Sequence, residues 1–178
     1  IVDRKLIADN STQNDRNNVN LNLNYRYTDT AGRELNVDAD YGLFRLKSNQ
    51  IQPNYYFKPD GSELDKFIYN FIAPTDIDIY TIKADYEQNY KKGKLGLGVK
   101  SSLVNTGNNF GRYNVTGNNK LLDLSRSNQF DYSENINAAY INYNRPFKGF
   151  MIQAGLRYEH TTATGDSYPL NADVSVSR

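Results

Sequence analysis

Asp38, Asp40, Asp78, Asp85, Glu87, Arg157 and Glu159 are the side chains whose chemistry asks for a role. Any two of the carboxylates, held close together, could act as a general acid and base. Their spacing suggests something plainer. Each sits at an alternate position of an amphipathic run, where successive side chains point to opposite faces of a strand. The better reading is a wet face lined by cross-strand ion pairs and hydrogen bonds. His160 is the single histidine and there is no cysteine, so a His/Cys metal centre is not expected. Gly96-x-Gly98 resembles part of a phosphate loop but lies inside a strand pattern with no helix after it. Those glycines are expected to admit a close neighbour or a bend. "NVT" at 114–116 matches a glycosylation acceptor by chance. No Ser/His/Asp set can be assembled. The expectation is a chain with no catalytic, cofactor-binding or metal-binding residue, no enzyme activity and no identifiable ligand-binding residue.

Composition narrows the class. With 178 residues the chain can form one domain. Its 21 Lys+Arg nearly balance 20 Asp+Glu, so no basic surface points to nucleic acid. No apolar window is long enough for a transmembrane helix. Fifteen tyrosines and eight phenylalanines accompany a mean hydropathy of −0.74. Disordered chains lack aromatics, whereas a β-structure with one apolar and one wet face has this balance. The chain opens "IVDRKLIADN", without Met or a hydrophobic leader, as expected of a piece of a longer protein.

Period-2 alternation positions the charged residues. "NVNLNLNYRYTD" (18–29) sets Val19, Leu21, Leu23, Tyr25 and Tyr27 against Asn20, Asn22, Asn24 and Arg26. After a turn at 30–32, Leu35, Val37, Ala39, Tyr41 and Leu43 alternate with Asn36, Asp38, Asp40 and Gly42. A second hairpin turns at 91–94. Its first strand shifts phase between Ile77/Ile79 and Tyr80/Ile82, which predicts a β-bulge. A third hairpin turns at 145–149, with a drift near Ala138-Ala139. Between hairpins, 48–75 and 105–128 read as long loops, with a third starting near Thr162. Short strands at 51–58 and 67–72 and a helical turn at 62–67 are expected inside the first loop.

Alternation alone fits either a soluble sandwich or a membrane barrel. Runs of about 10–15 residues exceed the usual soluble strand of about 5–6. Short turns alternate with long loops, as in outer-membrane barrels. Taken alternately, positions 19–27, 35–43, 95–103 and 150–158 carry no charge. Tyr25, Tyr27, Tyr41, Tyr86, Tyr90, Tyr140, Tyr143 and Tyr158 lie near strand ends, where amphipathic rings suit a membrane interface. The predicted fold is all-β: an antiparallel meander of long hairpins, a segment of a transmembrane β-barrel.

"FDYSENINAAYINYNRPFKGFMIQAGLRYEHT" (130–161) resembles the barrel domain of TonB-dependent receptors, in the outer membrane protein β-barrel family of Gram-negative bacteria. The residues that carry it are Tyr132, Glu134, Asn135, Ala138, Ala139, Tyr140, Gly155, Leu156, Arg157, Tyr158, Glu159 and Thr161. The resemblance implies a barrel of about 22 strands, an internal plug that contacts TonB, and import of a scarce or bulky ligand. This chain shows about six long strands in three hairpins, and no plug or coupling motif. Residues 1–178 are therefore expected to be a partial barrel domain in the outer membrane. Its partners would be membrane lipid, TonB through a plug absent from this chain, and an unidentified imported ligand. As a separate molecule it should form homo-oligomers. The alternative is a secreted β-sandwich that binds carbohydrate through aromatic loops.

Overall fold

The computed structural model describes residues 3–170. They form strands β1 (Lys5–Ala8), β2 (Ser11–Thr28), β3 (Glu34–Phe57), β4 (Glu63–Tyr90), β5 (Gly93–Thr116), β6 (Asn119–Leu122), β7 (Asn128–Phe147) and β8 (Phe150–Pro169). One 3-10 turn, Leu124–Arg126, precedes β7. All pairings are antiparallel within a single open sheet, in the order β2, β3, β4, β5, β7, β8. This is the predicted meander, and the described residues supply no second layer for a sandwich.

β1 extends β2 along β3 in the same register. The gap falls at Asp9 and Asn10, opposite Pro53, which has no N–H for the ladder. A similar gap between β4 and β5 spans Ala73 and Pro74.

The expected long loops are corrected. Residues 48–75 are the far half of β3, a turn at 58–62 and the first half of β4. Its "SELDKF" segment turns at Ser62 and enters a strand at Glu63, with no helical turn. Residues 105–128 are mostly β5, β6 and the 3-10 turn. The supposed loop from Thr162 continues β8 to Pro169. The hairpins are therefore much taller than the alternation suggested: β4 alone has 28 residues. The short turns stay near their predicted places. Lys91 and Lys92 form the middle one at positive φ, 45° and 66°, and Gly93 and Lys94 already belong to β5.

Register sorts the residues onto two faces. Tyr27, Leu35, Tyr86, Leu97, Ile141 and Leu156 form one cross-strand row of the apolar face. Much of this face is bare: Leu23 is 73% and Leu156 78% exposed. Among the described residues Ala138 is the one buried hydrophobic residue. A sheet with so little core needs an apolar surrounding rather than water.

The outer edge of the apolar belt supplies a second test. It is Val19 opposite Leu43, Tyr80 opposite Leu103 and Ala139 opposite Tyr158. Leu43 also pairs with Asp78, two residues past Tyr80, and Leu103 with Asn135, four past Ala139. The belt thus slides about six residues, ~20 Å along the strands, across five strand spacings of ~4.8 Å. That slope is a strand tilt of about 40°, within the ~35–45° of transmembrane barrels.

The predicted bulge is absent. β3 and β4 stay in register through Ile77, Asp78, Ile79 and Tyr80, and their one shift lies between Tyr56 and Phe57. The phase change is a crossover of polarity instead. Beyond Leu43, Tyr80 and Leu103 the apolar face turns polar, with Arg45, Asp76, Asp78 and Asn105. The opposite face turns apolar at the next residues, Phe44, Ile79 and Val104. On β7 the drift at Ala138-Ala139 is the same change: Asn137 and Asn135 continue the outer face, and Ile136 the other.

Candidate functional site

Inside the belt the polar face is a ladder of satisfied groups. Asn22 donates to Asp40 at 2.6 Å, and Asn24 donates to Asp38 at 2.6 Å and to Asn36 at 2.9 Å. Lys83 pairs with Asp85 at 2.6 Å, Lys94 with Glu87, Arg26 with Glu34 at 3.0 Å and Arg157 with Glu159 at 2.5 Å. Asp38, Asp40, Asp85, Glu87, Arg157 and Glu159 thus lie on the predicted wet face.

Gly98 makes one of these contacts possible. A Cβ built there would lie 2.2 Å from the Tyr140 ring. The bare backbone lets that ring lie across β5, where its hydroxyl donates to Asp85 on β4. Gly96 makes similar room for Asn142, whose side chain would sit 2.7 Å from a Cβ. Tyr140 is therefore a lumen-side residue, unlike the other tyrosines singled out.

Asp78 is corrected: it lies on the outer face, just past the belt. Arg45 donates to both its carboxylate oxygens at 3.0 and 2.9 Å, and the Tyr41 hydroxyl donates to it at 3.0 Å. Tyr41 stacks on Tyr80 with centroids 5.0 Å apart. Rings and paired charges together mark the belt's far boundary. At its near boundary Tyr143 donates to the carbonyls of Tyr90 and Lys91 at 3.2 and 3.1 Å, holding the turn. Phe147 and Phe150 stack at 5.0 Å beside the third turn. His160 lies within β8, opposite Asn137 on the outer face. No group of three metal-ligating residues occurs among the described residues.

A second cluster, at the far end of the strands, escaped sequence reasoning. Buried Arg112 lies 4.2 Å over the Tyr69 ring and pairs with Asp123 at 3.0 Å. The Ser127 hydroxyl accepts from the Arg112 amide at 2.9 Å and donates to the Asp123 carbonyl at 2.7 Å. The Ser125 hydroxyl holds the Asp123 carboxyl below its ordinary range against some desolvation, and the charges of Arg112 and Arg126 add to the effect. Fully buried Asn70 donates to Asn49 at 2.5 Å and accepts from Lys120 at 2.9 Å. These bonds fasten β6 and the 3-10 turn to the sheet. Asp-x-Ser at 123–125, a turn-favouring pair in which the Ser125 hydroxyl donates to the Asp123 carboxylate at 2.6 Å, was the one local signal for it.

Residues 26–177 match the model of the outer membrane protein beta-barrel family. No curated protein matches the chain. Among solved structures it is similar to the unliganded ferric citrate transporter FecA, at 15% identity and a TM-score of 0.40. That match covers 85% of this chain, and the chain spans 30% of that structure's length.

Proposed function

Because the chain belongs to the outer membrane protein beta-barrel family and is an outer-membrane β-barrel segment, we propose that it is the wall of a TonB-dependent receptor. In this reading it is non-catalytic and helps import a scarce or bulky ligand. The observation that carries the proposal is the height of the hairpins. A tilted strand crosses a membrane in about 9–11 residues, while β3, β4 and β5 have 24, 28 and 24. Such tall walls fit capture of a ligand outside the cell better than a short passive pore. The G-L-R-Y-E-x-T ending supports the same reading, and so does a polar face on which Asp38, Asp40, Asp85, Glu87, Arg157 and Glu159 are all bonded, since a lumen with most of its charges paired suits a plugged barrel.

The turns at 29–33, 91–92 and 148–149 would then face the periplasm, and the tip at 58–62 the exterior. β2 and β8 would pair with further strands of the intact barrel. Left alone, their unpaired N–H and C=O groups favour self-association. Binding of the intact protein, in lipid nanodiscs, to the purified periplasmic domain of TonB tests the assignment. Binding that a competing coupling peptide removes is expected. Its absence would reduce the reading to a barrel of another transport class.

A further inference from the structure

The polarity crossover leaves an apolar patch where lipid cannot reach it. Phe44, Ile77, Ile79, Val104, Ile136 and Tyr132 share the polar face's side of the sheet, in register across β3, β4, β5 and β7. The patch starts where the belt on the other face ends, so it lines the barrel wall just beyond the membrane. Folding of these hairpins does not require it. The ladders run unbroken through the patch, and the outer face of the same segment is polar, with Arg45, Asp76, Asp78 and Asn105.

One carboxyl group lies within this bed. Glu134 stands between Val104 and Ala163, with Tyr132 and Ile136 the next residues on its own face. Its β8 neighbours, Ala163 and Gly165, are small and leave the carboxylate open on that side. No ion pair among the described residues includes it. Lys100 is opposite Ala138, four residues along β7, and Arg16 lies on the edge strand β2. An apolar bed whose one carboxylate has the Tyr132 hydroxyl beside it, but no cationic partner among the described residues, is complementary to an apolar body that carries one cation.

We propose that the inner wall beyond the belt binds a cationic amphiphile: an amine or guanidinium set on Glu134, with its apolar portion on Phe44, Ile77, Ile79 and Val104. This deepens the receptor reading and rests on it for the ligand's purpose. Binding itself is independent of energy coupling, so the two can fail separately.

The test uses the intact protein in lipid nanodiscs, titrated with phenylbutylamine and with uncharged phenylbutanol, with empty nanodiscs as the partition blank. The amine should bind about tenfold more tightly than the alcohol, the usual scale for a charge-assisted contact. Glu134→Gln should bring the two to parity, leaving the alcohol unchanged. Ile77→Asn should weaken both. Binding no greater than in empty nanodiscs would overturn the proposal. So would an amine preference that survives Glu134→Gln, or affinities that ignore Ile77→Asn. Resistance of Ile77→Cys to water-soluble thiol reagents in the ligand-free protein would also overturn it, because another part of the chain would then cover the patch.

Discussion

At Gly98 the missing side chain is the functional feature. Tyr140 occupies the space, and its hydroxyl reaches Asp85 across β5. Gly98→Val should evict the ring and cost ~1–3 kcal/mol of stability, as overpacking does. Gly98→Val combined with Tyr140→Ala should recover part of that loss in a denaturation series. A smaller residue-scale effect lies in the first turn. Asp29 accepts from the Arg33 and Ala31 amides at 2.9 and 3.0 Å, and its carboxyl is lowered chiefly by the Arg33 amide. A lowered carboxyl contributes stability that is present above its unfolded pKa and lost as pH falls through its folded one. Turn protection in hydrogen exchange should therefore hold above the ordinary carboxylate range and fade below it. In Asp29→Asn that acid dependence should vanish. The faces of six of the seven charged residues were legible because strict alternation assigns them. Asp78 was not, because its strand changes polarity without changing register.

Among the elements, the short turns and the runs within the belt were readable, since lipid demands uninterrupted apolar alternation there. Outside lipid that demand ends. Tyr, Asn, Thr and Ser can then serve on either face, as in "NTGNNFGRYNVT" (105–116), and sequence alone reads as loop what the backbone ladder keeps as strand. The Arg112–Asp123–Ser127 staple joins residues 15 apart at most and left only a faint turn motif. Gly107 lies inside β5, so an epitope tag there should disrupt the hairpin, whereas one at Gly61, in the tip, should be tolerated and recognised on intact cells. A tag at Gly149 should be recognised only after permeabilisation; the reverse pattern would invert the topology. At the middle turn, Lys91 and Lys92 hold positive φ that asparagine and glycine adopt more readily. Lys91→Asn with Lys92→Gly should raise the stability of the intact barrel by about 1 kcal/mol, because it relieves the left-handed strain of the two lysines.

For the molecule as a whole, the slope of the belt connects sequence to membrane. A soluble sheet has no reason to slide its apolar edge by two residues between β3 and β4 and by four, in the same direction, between β5 and β7. A tilted wall crossing a flat bilayer must do so. The sheet's open edges follow from the same geometry, and the separate fragment should elute as an oligomer, or need detergent, in light scattering after size exclusion. A well-behaved monomer would show that the edges and the belt cover themselves. The central claim is that one continuous sheet changes polarity at the membrane boundary without a bulge. Spin labels placed singly from residue 71 to residue 86 of the intact protein in lipid test it most directly. At 80, 82, 84 and 86 the labels should be accessible to oxygen from the bilayer. Labels at 76 and 78 should meet water, and those at 77 and 79 should show no lipid exposure. Lipid exposure that switches to 77 and 79 would establish a bulge and contradict the account.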